Sequence, residues 1–486
     1  MRLLLLACVA CTSTPASTTA QERPPVRQPD KHESNVTKAD YVGPRACGEC
    51  HPDQLAQWSQ SLHRVMNAKV GDAGAVIGNF AGARLAYKGG EVVFGPGRTM
   101  TLRKGDRVVR YAVTRTIGRR GLQEYVGRES PGADEVRLPF GWWPRAGGWV
   151  PQPAFDPWLD EASFDPFTPV REPWAERCPW CHSTYPFARR IARAAGPRGL
   201  GHGLEQYFAG EPGSERLAVD EQVTTGISCE SCHLGGRAHA SGQPIHFVPQ
   251  VPARAGVAAW PTTFADERRD ARVVNAVCAQ CHSGPSPRLA DGTALRNSSE
   301  ALDLAASSCT GIRCIDCHDP HRADSRQDEA RAIAACTHCH ATQADPAHAG
   351  RGHATTTCLD CHMPRIVMGI DRYVRTHRIS SPNHPTNDAP NACNLCHLDR
   401  SLAWTTDELR AGWDLKLPRR GGDESLGEVW LASKSPAIRL IAAHAYARSP
   451  LGRYELATIE RGLTDKLAYV RAWMQFAITD IKRRSR

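Results

Sequence analysis

Apolar residues are in short supply: hydrophobic side chains make up only 41% of the 486 residues, and methionine occurs just six times. A chain this long would ordinarily hold two or three domains with a sizeable core. With so little apolar material, part of that core must come from something other than the polypeptide. Between residues 178 and 397 there is no long apolar stretch at all. The opening MRLLLLACVAC is a single arginine followed by a short apolar run, which reads as an export signal and is too short to cross a membrane.

Cysteine is the opposite case, with 19 copies, and position accounts for most of them. Sixteen fall in eight copies of the pentapeptide C-x-x-C-H: CGECH, CPWCH, CESCH, CAQCH, CIDCH, CTHCH, CLDCH and CNLCH. The pairs are Cys47 and Cys50, Cys178 and Cys181, Cys229 and Cys232, Cys278 and Cys281, Cys314 and Cys317, Cys336 and Cys339, Cys358 and Cys361, and Cys393 and Cys396. With cysteine and histidine each at about 4%, chance would supply well under one such pentapeptide. Two thiols at this spacing add across the two vinyl groups of a haem, and the following histidine reaches the iron from one face.

Zinc ribbons also use C-x-x-C pairs, but they need no histidine after the second cysteine, and here it follows every time. A disulfide framework belongs to small secreted domains, and a thioredoxin-like motif would occur once. The expected cofactors are therefore eight haem c groups, with His51, His182, His233, His282, His318, His340, His362 and His397 as proximal iron ligands.

A second imidazole on each iron would come from nine other histidines: His63, His239, His321, His377, His348, His353, His202, His246 and His384. The first four rank ahead, followed by His348 or His353. His32 lies in a linker and His444 in the tail, while His338 sits inside a motif and points away from its own iron. Bis-imidazole ligation suits low-potential electron transfer, whereas methionine would raise the potential; Met66, Met363 and Met368 read as packing residues.

The formal charge of +9 might suggest a nucleic-acid partner. Eight haems would add roughly sixteen propionate charges, and ferric iron would return about one positive charge each, leaving the oxidised protein near neutral. The arginines are therefore expected to answer propionates, and no nucleic-acid partner is expected.

Six regions are expected. Residues 1–20 form an export segment, in which Cys8 or Cys11 resembles a lipoprotein processing site that would tether the protein to a membrane; plain cleavage would leave it soluble. Residues 21–40 read as a disordered linker. Residues 41–80 hold the first motif, followed by a helical pattern carrying His63, and 81–175 alternate apolar and polar residues between glycines, which predicts a small antiparallel sheet. Its Trp- and Pro-rich end, LPFGWWPRAGGWVPQPAFDPW, either covers haem faces or packs as an irregular segment. Residues 176–415 carry seven motifs, and 425–486 contain two amphipathic helical patterns, SPAIRLIAAHAYARSP and DKLAYVRAWMQFAITDIKRR, that resemble HEAT repeats. The fold class expected is mainly α with little regular structure, wrapped around stacked haems, with a β insertion and a helical tail. Cys309 is expected to be a buried thiol near a haem.

ACGECHPDQLAQWSQSLH resembles the opening of the cytochrome c-554-type domain, and GISCESCHLGGRAHA resembles its GVxCExCHGPGxxH element. RCIDCHDPH, TTCLDCHMPR with THRIS, and NACNLCH are similar to the doubled-motif multihaem cytochromes, in which a YxVxYTxGxxxLQxY segment, here YAVTRTIGRRGLQEY, precedes the second motif. The resemblance covers about 41–415 and implies axial roles for His63, His239 and His377. The lysine-for-histidine motif of pentahaem nitrite reductases is missing. The function expected is electron transfer in the periplasm or on the cell surface, to redox partner proteins. The alternatives are a multihaem oxidoreductase of small nitrogen or sulfur compounds with one open-face haem, and a subunit of a cytochrome filament; an oligomer is compatible with each.

Overall fold

The computed structural model describes residues 34–168, 172–187, 217–250, 269–309, 311–322, 328–349, 352–383, 385–386 and 389–485. The export segment, His202 and His384 lie outside them.

Residues 34–40 correct the expected linker, because they are folded in place. Asn35 Nδ2 donates to the Val248 carbonyl at 3.0 Å, Gly235 N–H donates to the Asn35 carbonyl at 2.8 Å, and Val36 is buried. Asn35 thus ties the segment to two distant loops, one through its side chain and one through its backbone carbonyl, which the composition does not reveal.

The first motif ends helix α1 (Pro44–Cys50), and α2 (Pro52–Ser59) follows directly. The chain then enters the largest sheet: β1 (Asn67–Lys69), β2 (Ala83–Tyr87), β3 (Gly90–Gly95), β4 (Thr99–Lys104), β5 (Arg107–Ile117), β6 (Glu124–Arg128) and β7 (Val136–Arg137). The path is β2-β3-β4-β5-β6-β7, all antiparallel where paired, and β1 adds to the end of β5. The sheet therefore begins before residue 81; three residues in β1 are too few to show a period of two. Lys88 and Gly89 both have positive φ, 45° and 75°, the backbone that a two-residue hairpin turn requires. Val92, Phe94, Met100, Leu102, Tyr111 and Tyr125 are buried on one face.

β8 (Phe140–Trp143) and β9 (Gly148–Pro151) form a hairpin from the Trp-rich stretch. Its aromatics take the packing role: Trp149 stacks on Phe94 with centroids 3.7 Å apart, and Trp143 meets Phe476 edge-on at 4.7 Å.

From here on the helices are short and most carry a motif: α3 (Pro179–His182), α4 (Cys229–His233), α5 (Arg237–Ala240), α6 (Ala271–His282), α7 (Glu300–Ala305), α8 (Cys314–Cys317), α9 (Glu329–Cys339), α10 (Pro346–Ala349) and α11 (Cys358–His362). A helical turn puts residues i and i+3 on one face, which brings the two thiols of each such motif together. The small hairpins β10 (Ser183–Thr184) with β11 (Thr224–Thr225), and β12 (Arg365–Met368) with β13 (Tyr373–Arg375), punctuate this region. None of the side chains of α1, α8 or α9 is buried, so these motif helices draw little support from apolar packing.

The end of the chain is helical: α12 (Leu402–Trp413), α13 (Leu426–Leu431), α14 (Pro436–Arg448), α15 (Leu456–Glu460) and α16 (Ala468–Arg484). Its core is continuous with the rest of the protein. Trp143 and Phe155 from the β region, Ile366 and Val367 from β12, and Leu395 and Leu398 at the eighth motif join Trp430, Ile441, Trp473 and Phe476 in one buried cluster. Among the described residues, no helix is long and apolar enough to cross a membrane.

Candidate haem-binding sites

Five of the motif histidines face a second imidazole. His51 stands opposite His239, His233 opposite His321, His318 opposite His377, and His397 opposite His353, each with ring centroids 6.1 Å apart. His362 stands opposite His348 at 6.3 Å. These separations are too long for ring contact, since touching aromatic faces lie much closer.

They match the spacing that one ion between two rings requires. An imidazole nitrogen binds a transition metal at about 2.0–2.1 Å and lies about 1.1 Å from its ring centre, so two rings ligating one ion have centres about 6.3 Å apart. Four pairs have near-parallel planes, within 27°, whereas His353 and His397 are crossed at 83°. Among the described residues no cluster of three or more potential metal-ligating side chains occurs.

Burial, and then the charge of His282, lowers His63 to about 4, so the two imidazoles lie within electrostatic reach of each other. For His182 and His340 the described residues offer no second imidazole.

The rings are also oriented from behind. His182 Nδ1–H donates to the Met66 carbonyl at 3.4 Å, His239 Nδ1–H to the Gln243 carbonyl at 2.7 Å, and His362 Nδ1–H to the Ser380 carbonyl at 3.0 Å. A carbonyl only accepts, so the proton is on Nδ1 and Nε2 is left for a metal. Burial lowers His182, His362, His377 and His397, which favours the neutral form that ligates. His282 differs: burial alone would lower it, but the hydrogen bond and charge of Glu300 lift it to about 9. Burial would likewise raise Glu300, yet its bond to His282 holds it down to about 2.

The motif thiols trace a path. Cys47 lies beside Cys229, joining motifs one and three. Cys232 lies near Cys281, and Cys278 lies beside Cys314, which joins three to four and four to five. Cys317 neighbours Cys336, Cys336 neighbours Cys358, and Cys361 neighbours Cys393 and Cys396, which continues the line to the eighth motif. The second motif joins from the side, because Cys281 Sγ approaches the Trp180 carbonyl at 3.9 Å and Cys181 Sγ the Gln280 carbonyl at 3.8 Å. The fourth motif therefore touches the second, third and fifth. Cys309 is half-buried beside this line, near Cys336 and Cys339, rather than fully buried. Met368 is buried in the apolar cluster, and His338 is exposed.

Near the eighth motif, cations gather. Arg448 of α14 is pushed down to about 10 by burial and by Arg365, Arg484 and Arg375, and it lies close to Cys396. Among the described residues it makes no ion pair, whereas Arg365 and Arg375 share Glu329 at 2.7 and 3.0 Å. Such a guanidinium group suits an added carboxylate, the chemistry of a haem propionate. Taken together, the imidazole pairs, the paired thiols and this cationic site fit haem c. Glu300 was not singled out from sequence; no spacing rule marks an acid that reaches a motif histidine through a loop.

No known family pattern and no curated protein matches the chain. Among solved structures it is similar to the outer cell wall cytochrome OcwA, with 16% identity over 91% of this chain and 98% of that one and a TM-score of 0.44. That likeness is too distant to carry a functional argument.

Proposed function

We propose that the chain is an exported octahaem c-type cytochrome that transfers electrons along a line of closely spaced, mostly bis-histidine haems. The single observation that carries this reading is the five motif imidazoles facing a second imidazole at 6.1–6.3 Å. The haem group, when bound, supplies a one-electron couple; the protein fixes both axial ligands so that little rearranges as the charge changes. The expected distal ligands are His239, His321, His377, His348, His353 and His63. The motif path from one to eight supports movement of an electron through the length of the molecule, from a donor protein to an acceptor, without a net chemical change in the polypeptide. Periplasmic or cell-surface placement, with or without a lipid on Cys8 or Cys11, follows from the opening segment and belongs to this proposal.

Low-temperature electron paramagnetic resonance of the oxidised holoprotein tests the reading. A carrier shows low-spin iron throughout, unaffected by cyanide or nitrite. A substantial high-spin fraction that binds those ligands would replace it with the oxidoreductase reading.

A further inference from the structure

Among the motif histidines, His282 has a carboxylate within hydrogen-bond distance behind it. His182, His239 and His362 give their Nδ1 protons to neutral carbonyls, whereas His282 Nδ1–H donates to the carboxylate Oε2 of Glu300 at 3.1 Å. The acid is held in place. Its Oε1 accepts from the Ser298 N–H at 3.0 Å. Ser298 is in the left-handed region at φ 78°, a strained conformation for a residue with a Cβ. The same residue's carbonyl accepts from Gly284 N–H at 2.6 Å, and Ser299 Oγ donates to the Gly284 carbonyl. The loop that delivers Glu300 is thus stitched back to the chain two residues beyond His282.

We infer that Glu300 is a positioning residue that makes His282 a more basic axial ligand and so holds the iron of the fourth motif at a lower potential than a neutral acceptor would. The inference rests on the haem reading. A carboxylate behind an imidazole gives the ring partial imidazolate character, and its negative charge favours ferric over ferrous iron. The location gives this a consequence. The fourth motif is the junction that touches the second, third and fifth, so an electron reaching it is poorly retained and is passed on. One electron enters and one leaves, and the Nδ1 proton stays between His282 and Glu300, so no proton has to be supplied.

The test is a redox titration of the holoprotein, followed by paramagnetic resonance, for the parent, Glu300→Gln and Glu300→Asp. Glutamine keeps an acceptor oxygen but removes the charge. In Glu300→Gln all iron should stay low-spin while one transition moves to higher potential, with its reduction equilibrium favoured about tenfold, the lower end of what loss of an outer-shell partner produces. Glu300→Asp should titrate like the parent. Superimposable curves for Glu300→Gln and the parent would overturn the inference, as would equal shifts in both variants accompanied by high-spin iron, which would assign Glu300 a merely structural role. A parent protein without covalent haem would instead overturn the reading beneath it, and that is seen before any variant is titrated.

Discussion

Replacing His239 by alanine isolates one site with little disturbance to the rest. His239 is exposed on the four-residue helix α5, and its ring stands opposite His51 at 6.1 Å. The loss to folding is confined to its hydrogen bond with the Gln243 carbonyl, about 1 kcal/mol. On the proposed reading each pair serves a single metal, so one of the two axial imidazoles is lost at one iron. With eight motifs in the chain, about one eighth of the iron should change from low-spin to high-spin. Optical spectra and paramagnetic resonance read that fraction directly, and added imidazole should restore the low-spin signal. His348→Ala should do the same at a different iron, since His348 is also exposed and faces His362 at 6.3 Å. A fully low-spin His239→Ala protein would refute the pairing and with it the geometric argument for the other four.

Other tests address the frame that holds these sites. Trp143→Ala empties the centre of the cluster that joins the β8–β9 hairpin to α16; a destabilisation of about 3–5 kcal/mol is expected in denaturant melts, with faster proteolysis of the helical tail. Glu135→Ala strands Arg115, which is only 6% exposed and bonds Glu135 at 2.7 Å, so a loss of about 3–5 kcal/mol should appear as a lowered melting temperature. His444 is buried and lowered to about 3, burial being the main cause. As pH falls below the ordinary histidine value of about 6.5 the unfolded chain takes up the proton first, so stability should drop between about 6.5 and 3, by about 2 kcal/mol at pH 5. His444→Leu should flatten that part of a stability-against-pH curve; an unchanged slope would contradict it. The crossed planes of His353 and His397, at 83°, predict one strongly anisotropic low-spin signal that His353→Ala abolishes.

The pentapeptides were legible because thioether attachment is a local matter, decided within five residues. Five of the nine candidate distal histidines stand opposite a motif histidine, but which motif each one meets was not legible. His233 meets His321, and His348 meets His362, from distant parts of the chain, contacts that sequence periodicity does not describe. The sheet showed itself in the alternation of Thr99–Lys104, where Met100 and Leu102 are buried between half-exposed threonines. β1 stayed hidden for want of length, and residues 34–40 read as linker because a single Asn35 anchor leaves no pattern. The two tail helices were recognised by their apolar spacing; that spacing does not reveal that Trp143 and Ile366 complete their core. Glu300 reaches His282 from across a loop, a contact with no signature in either local sequence.

The measurement that bears most directly on the central claim is the intact mass of protein matured in a host able to attach haem, combined with peptide mapping of the eight motifs. The account predicts the mass of the processed chain plus eight haems, with each haem on a Cys-x-x-Cys pair. A mass equal to the bare polypeptide, or to the polypeptide with bound metal alone, would contradict it.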